Sequence, residues 1–476
     1  MKGVHNRLSY SAGGAGTEPV LPFLVDVWDA LWGAGLLAIN EMVRFFRIYS
    51  TQFSLSLLTL LVAGTAAFTD VFSKLRVGPV YITELCIILL LLVLGMSLTR
   101  NQIVLLPRGR LARRVVYFVG AYLVFGTVRL IVDFGSGASA SLLEVLRNFA
   151  VVYYALFAII GWLVLQPLPA HSVLRSIGAI VVTVSTLTSL WTVLLYTLNI
   201  HSLADEGLVD VSVVVQGQAV VFAMFSLLII ANLLRYNAMP ENILFRGLII
   251  AVFLLNVLYV YLSGHRSAVM GCAAGGAMLI VSSKTKLRSR IRWRWVVLAL
   301  LAAGCILYLL SGYLVDFTLK FKTLLSPLEE INAAWRAVFW IAVVFLWLSA
   351  PVCGVGFAHD FYEEEPLHAV QAQHYDPHNS YLAILARTGI VGLFFMSAAS
   401  FASVRLLIRL VRSSPRRETT LIASCLLSCF AAIATFASAN VTLESPYHAM
   451  FFWLLIGMGI ALAETEEGVD GLVSRS

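Results

Sequence analysis

The chain has 476 residues, of which 60% are hydrophobic and only 12% are charged. A soluble domain of this size cannot bury so large an apolar fraction, so the composition excludes a soluble globular protein and indicates a polytopic membrane protein. The formal charge of +7 is distributed over separate loops, which argues against a nucleic-acid-binding surface. In lipid every backbone polar group needs a partner within the protein, so the long apolar runs predict helices rather than a β-barrel.

The first 50 residues are predicted to form a cytoplasmic tail with an amphipathic helix. Between Leu24 and Tyr49, apolar side chains recur at helical spacing, while charged residues such as Asp26, Glu41 and Arg44 lie on the rest of the helix. This pattern is typical of a helix that lies in the membrane interface. A helix that binds a partner protein is the less favoured alternative.

Apolar runs of span length recur along the rest of the chain. A helix needs about 20 apolar residues to cross a bilayer, so these runs predict an all-α fold with about twelve transmembrane helices. The predicted organisation is a set of nine helices in 51–312, a long loop 313–379, three helices in 380–463 and a cytoplasmic tail 464–476. The predicted spans are 53–68, 79–98, 115–132, 142–165, 173–198, 213–234, 243–262, 267–283, 296–312, 380–404, 419–438 and 448–463.

A further apolar run, Ala337–Val352, decides the orientation of everything that follows it. Arginine and lysine are concentrated around 100–114, 284–294 and 405–417. Such residues accumulate in cytoplasmic loops, and the three basic loops fall on one side only if 337–352 does not cross. We therefore predict a short, non-spanning apolar helix within the long external loop, and we interpret the basic runs as topology signals.

This topology places most of the nine histidines outside the cytoplasm, in the loops and turns of the external side. That side includes 199–212, the turn Ser263–Arg266, the loop 313–379 and 439–447. The chain has no glycine-rich phosphate loop beside a nucleotide-binding fold. The polar chemistry is therefore expected outside the cytoplasm and without a nucleotide.

Several arginines near the predicted external ends are candidates for holding an anion. An ionisable side chain in a span is costly unless it meets an anion, a carbonyl or water. The planar guanidinium fits diphosphate oxygens bidentately and stays charged at any pH. Alternatively, these arginines pair with Asp133, Glu144 or Glu444 to hold helices together. The candidates are Arg266, Arg336, Arg387, Arg129 and Arg147, and for the last two the interpretations are equally supported.

His378 lies in the segment Asp376–Gly392, where a His-Asn pair precedes an apolar helix. A neutral imidazole, with an ordinary pKa of about 6.5, can take a proton from an attacking hydroxyl. The helix that begins around Asn379–Tyr381 would add free N–H groups as an anion site beside it. A purely structural histidine is the alternative.

Metal binding is the less favoured interpretation of the remaining polar residues. Glu363–Glu365 and Asp360 lie near three histidines, His359, His368 and His374. Their spacing matches no set metal pattern and favours a solvated acidic loop.

The six cysteines mostly fall in apolar runs, as small buried hydrophobes do. Cys425 and Cys429 share a helix face without His or acidic partners. We predict no metal and no cofactor.

Three segments resemble the O-antigen ligase and O-antigen polymerase family of bacterial envelope glycan assembly. The first is Ser263–Ala268 (SGHRSA), between two spans. The second is Arg336 followed by Pro351–Phe357 (PVCGVGF), which is similar to the family's arginine and its P-x-x-GVG motif. The third is His378–Leu382 (HNSYL) with Thr388–Gly392 (TGIVG), which resembles a helix start HN-x-x-L with a later G-x-x-G. The resemblance covers residues 240–410 and includes the order and external placement of the segments.

The resemblance implies transfer of a glycan from an undecaprenyl-diphosphate carrier to a glycan or lipid-linked acceptor. The reaction would be metal-independent and inverting, at the periplasmic face of the bacterial inner membrane, within lipopolysaccharide or exopolysaccharide synthesis. Polymerase and ligase share these motifs, so both remain open, and polysaccharide-assembly proteins are possible partners. His378 is the predicted catalytic residue. The predicted diphosphate ligands are Arg266, Arg336, Arg147 and Arg387, and the predicted supporting residues are His265, Asn379, Tyr381, Gly354 and Gly356.

Arg387 departs from the family's pattern, since family members often carry an acidic residue at this position. A histidine–carboxylate pair is therefore not expected there, and a phosphate contact is predicted instead. The alternative function is a transporter or flippase of lipid-linked saccharide, which predicts broken helices near mid-membrane and two similar halves. The two halves of this chain show no convincing likeness, which disfavours transport.

Overall fold

A computed structural model describes most of the chain from residue 51 onward. The described residues are 51–68, 72, 75–77, 80–98, 106–136, 141–197, 219–238, 240–282, 331–359, 361 and 378–473. Several predicted features lie outside them: the N-terminal amphipathic helix, the loop 199–212, the basic loop 284–294, the span 296–312, Asp360, Glu363–Glu365, His368 and His374.

The described residues form helices and one minimal antiparallel strand pair, in which Arg76 faces Tyr81 and Val77 faces Val80. This pair, in the connection between the first two helices, is the exception to the predicted all-α fold. The elements are α1 (Thr51–Phe68), β1 (Arg76–Val77), β2 (Val80–Tyr81), α2 (Ile82–Leu98), α3 (Arg110–Gly135), α4 (Leu142–Asn148), α5 (Ala150–Tyr153), α6 (Leu156–Leu165), α7 (Ala170–Thr197), α8 (Val220–Arg235), α9 (Ile243–Leu262), α10 (Arg266–Ser282), α11 (Ile331–Ser349), α12 (Ser380–Ser413), α13 (Arg417–Phe436) and α14 (Pro446–Val473).

Seven described helices are long and apolar enough to cross a membrane: α1, α3, α7, α9, α12, α13 and α14. An eighth crossing results if the bent segment from α4 to α6 counts as one span. The predicted spans 79–98, 213–234 and 267–283 coincide with shorter apolar helices, α2, α8 and α10. The structure therefore confirms a polytopic helical protein, and supports the predicted count of twelve only as far as seven or eight helices of full length.

The predicted span 142–165 is not one straight helix. Its two parts, Leu142–Asn148 and Ala150–Leu165, meet at an angle of 41°. Around the break the backbone changes to tighter hydrogen bonds, from Val152 N–H to the Phe149 carbonyl (2.9 Å) and from Ala155 N–H to the Val152 carbonyl (3.0 Å). Such three-residue spacing is typical of local 3₁₀ geometry and re-aims the chain.

Small residues bring the helices of the core into close contact. A Cβ atom on Gly271 or Gly275 of α10 would lie 2.9 Å from the Ala432 carbonyl oxygen or 2.8 Å from that of Ser428. Glycine at this one-turn spacing lets α10 lie directly against the backbone of α13, as small residues do between membrane helices.

One end of the helices holds the loop after α11, the start of α12 and the C-terminus of α3, and we call it the site end. At the opposite end, Glu466 of α14 accepts hydrogen bonds from Ser414 (2.6 Å) and Thr419 (2.8 Å). Trp162 donates to Glu464 over 2.6 Å. Helix α14 continues to Val473, well into the predicted tail 464–476. That the site end lies outside the cytoplasm, and that 337–352 does not span, stay predictions.

Candidate functional site

His378 and Asn379 form the start of α12, and Asn379 caps the helix. The Asn379 Oδ1 atom accepts hydrogen bonds from the N–H groups of Tyr381 (3.1 Å) and Leu382 (3.2 Å), which otherwise lack helical partners. His378 has a φ of 45°, in the left-handed region that few residues other than glycine and asparagine adopt. The cap and the unusual φ together fix the direction in which the half-buried His378 leaves the helix.

Ser380 and Tyr381 hold the start of α12 against the end of α13 and the segment that follows it. The buried Ser380 hydroxyl donates to the Glu444 carboxylate over 2.5 Å and accepts from the Thr442 N–H over 2.9 Å. The Tyr381 hydroxyl donates to the Ala434 carbonyl over 2.7 Å. Tyr381 was predicted as a supporting residue, whereas the role of Ser380 was not predicted.

The loop Pro351–Phe357 docks against α12 through backbone atoms. Val355 N–H donates to the Ala386 carbonyl (2.8 Å), and Gly356 N–H donates to the Arg387 carbonyl (3.1 Å). In return, Ile390 N–H donates to the Pro351 carbonyl over 2.9 Å. The two motifs that resemble the family are therefore one structural unit.

Glycines make this docking possible. Gly389 has φ 65° and ψ −169° and interrupts the helical geometry of α12, which frees the carbonyls of the preceding turn for the loop. Gly354 has a φ of 73°, and a Cβ atom there would lie 2.5 Å from the Thr388 nitrogen. Only residues without a side chain combine this backbone conformation with so close an approach.

Asp133 and Arg129 of α3 hold the end of the same loop. The Phe357 N–H donates to Asp133 over 2.6 Å, and Arg129 pairs with Asp133 over 3.0 Å. Asn148 donates to the Phe357 carbonyl over 2.8 Å. The lack of a side chain on Gly356 leaves room for this pair, since a Cβ atom there would overlap both partners. Arg129 thus follows the predicted alternative, in which the arginine pairs with Asp133 and holds elements together.

Arg387 is 5% exposed and anchors the chain that follows the loop. Its Nη1 atom donates to the His359 carbonyl over 3.2 Å, and its guanidinium carbon lies 4.2 Å from the centre of the Phe361 ring. Both contacts satisfy the buried charge through a carbonyl and an aromatic face. The predicted phosphate contact of Arg387 stays a prediction.

The other candidate arginines lie on three separate helices. Arg266 is the first residue of α10 and is half-buried, and Arg336 is half-buried near the start of α11. Arg147 is exposed on α4, next to the Asn148 that holds the loop. The structure thus joins Gly354, Gly356 and Arg387 in one docked unit, with His378, Asn379 and Tyr381 on the same helix.

His265 precedes α10 in the turn after α9, and its charge state is coupled to Arg336. Burial, and then the positive charge of Arg336, lower the pKa of His265 below its ordinary value of 6.5. Both effects favour the neutral imidazole. The positive charge at this turn therefore comes from the arginines and not from His265.

The lowered pKa of His265 predicts acid sensitivity of the fold. Below pH 6.5 the unfolded chain binds a proton that the folded chain does not, so stability falls as the pH falls through this window. In thermal unfolding of the detergent-solubilised protein between about pH 7.5 and 5, we expect a smaller acid loss for His265→Gln than for the wild type. Arg336→Met should reduce the loss less, since burial is the larger cause. Parallel curves for all three proteins would contradict the assignment.

Metal ligands do not cluster in the part of the chain that the structure describes: no three His, Cys, Asp or Glu side chains come together there. Cys86 and Cys429 are buried, as predicted for small apolar residues, whereas Cys353 in the docked loop is exposed.

Comparison with known proteins supports the same region. Residues 251–397 match the family model described as O-antigen ligase. No curated protein matches the chain. The matched segment runs from α9 into α12 and includes the turn before Arg266, the docked loop, His378 and Gly389. The resemblance is thereby confirmed for residues 251–397, the segment that matches the O-antigen ligase family model.

Proposed function

We propose that the protein is a membrane glycan transferase, a polymerase or ligase, that moves a saccharide from undecaprenyl diphosphate to an acceptor hydroxyl. The reaction would take place at the periplasmic face of the bacterial inner membrane. The observation that carries the proposal is the docking of Pro351–Phe357 onto α12. The docking position includes Gly389, which follows His378 by eleven residues. It brings two family motifs to the helix that begins at the candidate base.

The site chemistry suits displacement of a diphosphate. As the bond from the anomeric carbon to the carrier breaks, negative charge grows on the diphosphate, and Arg266 and Arg336 stabilise that charge. Arg147 and Arg387 are further candidate ligands. Because arginines neutralise the leaving group, the proposed reaction is metal-independent.

His378 acts on the acceptor in this proposal. Its imidazole takes the proton of the attacking hydroxyl, and attack from the face opposite the diphosphate inverts the anomeric centre. The fixed backbone at His378 and the cap at Asn379 reduce the number of directions that the ring can take. Pre-orientation of this kind lowers the entropic part of the barrier.

The test is glycan analysis of cells in which a variant replaces the wild-type protein. His378→Asn retains a residue that tolerates the left-handed backbone but removes the base, so we expect transfer to fall by about 10²–10⁴-fold. Arg266→Ala should also abolish surface polysaccharide. Arg175→Ala is the matched control, because Arg175 forms an exposed ion pair with Glu418 at the opposite end and should leave the polysaccharide unchanged.

The products distinguish the two activities. Loss of polymerisation leaves single-repeat products on the acceptor, whereas loss of ligation leaves long chains on the undecaprenyl carrier. If His378→Asn and Arg266→Ala are present in the membrane at normal amounts and surface polysaccharide keeps its normal length and quantity, the transferase proposal fails.

A further inference from the structure

Glu84 lies in the first turn of α2 and belongs to a polar cluster that the proposed chemistry does not use. One carboxylate oxygen accepts the Tyr153 hydroxyl over 2.6 Å, and the other accepts the Tyr81 N–H over 3.1 Å. All three residues are half-buried. We name Tyr81, Glu84, Phe149 and Tyr153 the Glu84 cluster.

The partners of Glu84 are neutral. Among the described residues, no lysine or arginine forms an ion pair with Glu84. A carboxylate has about four lone-pair positions, and the two hydrogen bonds leave acceptor capacity. The neighbouring Thr83 hydroxyl is 1% exposed and has no hydrogen-bond partner in the described part of the chain. Buried polar groups without partners are uncommon and call for an explanation such as a ligand or water.

The Glu84 cluster is connected to the docked loop through aromatic rings. The Phe149 ring lies 5.2 Å from that of Phe357 and 5.9 Å from that of Tyr153. Phe149 also marks the 41° break between α4 and α5. In membrane proteins an irregular segment of this kind is tolerated where it is covered by protein or lines a watery cavity.

The combination of groups fits a sugar ring. A sugar presents hydroxyl donors at its edge and C–H groups on its faces. A carboxylate forms strong, charge-assisted hydrogen bonds to hydroxyls, and an aromatic ring with a polar tip packs against the apolar face. An anion would be repelled by Glu84, so the cluster does not suit the diphosphate.

We propose that the Glu84 cluster is a saccharide-binding subsite, which holds a sugar of the glycan at a distance from the bond that is made. This inference rests on the proposed transferase function, because that function supplies the glycan. It assigns to the cluster a role in binding the glycan, and none in proton transfer.

The direct test is binding of a free saccharide to the detergent-solubilised full-length protein. The probe is the saccharide that mild acid releases from the cell's own undecaprenyl-diphosphate pool, which carries neither lipid nor phosphate. In a fluorescence titration, Glu84→Gln should weaken binding about tenfold or more, since the charge that strengthens hydrogen bonds to the sugar is lost. Tyr153→Phe should also weaken binding, since the hydrogen bond that orients Glu84 is lost. In cells, both variants should lower the amount of surface polysaccharide, and in a polymerase they should also shorten its chains.

A matched control variant, Tyr122→Phe, should bind the saccharide as the wild type does. It also removes a tyrosine hydroxyl, in this case one that donates to the Val151 carbonyl over 3.1 Å inside the core. The melting temperature of each variant reports whether it is folded, and Glu84→Gln and Tyr153→Phe replace each other if one fails to fold.

The outcomes separate this inference from the proposed function. Absence of saccharide binding to the wild type at millimolar concentration, or equal affinities for all variants, would overturn the subsite. If Glu84→Gln weakens binding while His378→Asn retains full transfer, the subsite stands and the proposed role of His378 fails. If His378→Asn abolishes transfer and the cluster variants bind normally, only the subsite is lost.

Discussion

A Gly389→Ala variant is expected to lose most of its stability and all of the proposed glycan transfer. The backbone at Gly389, with φ 65° and ψ −169°, lies in a region that is essentially restricted to glycine and costs another residue up to about 3 kcal/mol. A Cβ atom would also overlap the Val352 carbonyl group, and overpacking of this kind adds about 1–3 kcal/mol. The contact is with backbone on both sides, so rotation of a side chain cannot relieve it.

The matched control is Gly120→Ala. Gly120 lies within α3, and a Cβ atom there would have no neighbour within 4 Å. This variant should fold as the wild type does, or slightly better, because alanine favours a helix. Membrane abundance, thermal unfolding in detergent and surface polysaccharide provide the comparison. A Gly389→Ala protein with wild-type melting temperature and activity would show that the docking of loop and helix is dispensable.

Asp133→Ala is expected to destabilise the protein by about 3 kcal/mol, at the lower end of the range for a broken buried pair. The substitution removes the acceptor of the Phe357 N–H and leaves the charge of Arg129 uncompensated. The Arg129 side chain is 21% exposed, compared with 5% for Asp133, and this partial access to solvent limits the cost. The proposed glycan transfer should fall as well, because the end of the docked loop loses the hydrogen bond from Phe357 N–H to Asp133.

A double-mutant cycle isolates the ion pair. Arg129→Met alone leaves the Asp133 charge without its partner, whereas Arg129→Met with Asp133→Ala removes both charges and leaves only one N–H group without an acceptor. We therefore expect the double variant to be more stable than Asp133→Ala alone, by about 1 kcal/mol or more, in thermal unfolding. Strict additivity of the two single effects would contradict a direct pair.

Hydropathy and charge predicted most of the helices, because a bilayer permits few other structures. The break at Phe149 was not predicted, since the span 142–165 contains no proline and its one glycine, Gly161, lies away from the break. The start of α12 was predicted from the residues themselves, because asparagine before an apolar run is a typical helix cap.

The candidate site was only partly predictable. Pairing of Arg129 with an acidic residue such as Asp133 was one of two equally supported interpretations, and the main-chain partner of Asp133 lies 224 residues further along the chain. The docking of Pro351–Phe357 on Gly389 depends on backbone angles and on contacts between carbonyls and N–H groups. Side-chain chemistry carries no information about such contacts, so the motifs were visible in the sequence while their union was not.

The hydrogen bonds at the two ends of α12 have a mechanical consequence. Ser380 near the start of α12 is bonded to Glu444 just before α14, and Ser414 just after α12 is bonded to Glu466 near the other end of α14. Because hydrogen bonds join the two helices near both ends, α12 and α14 resist separation at either end. In the proposed transferase we therefore expect a lateral opening for a lipid tail between another pair of helices, and not between α12 and α14.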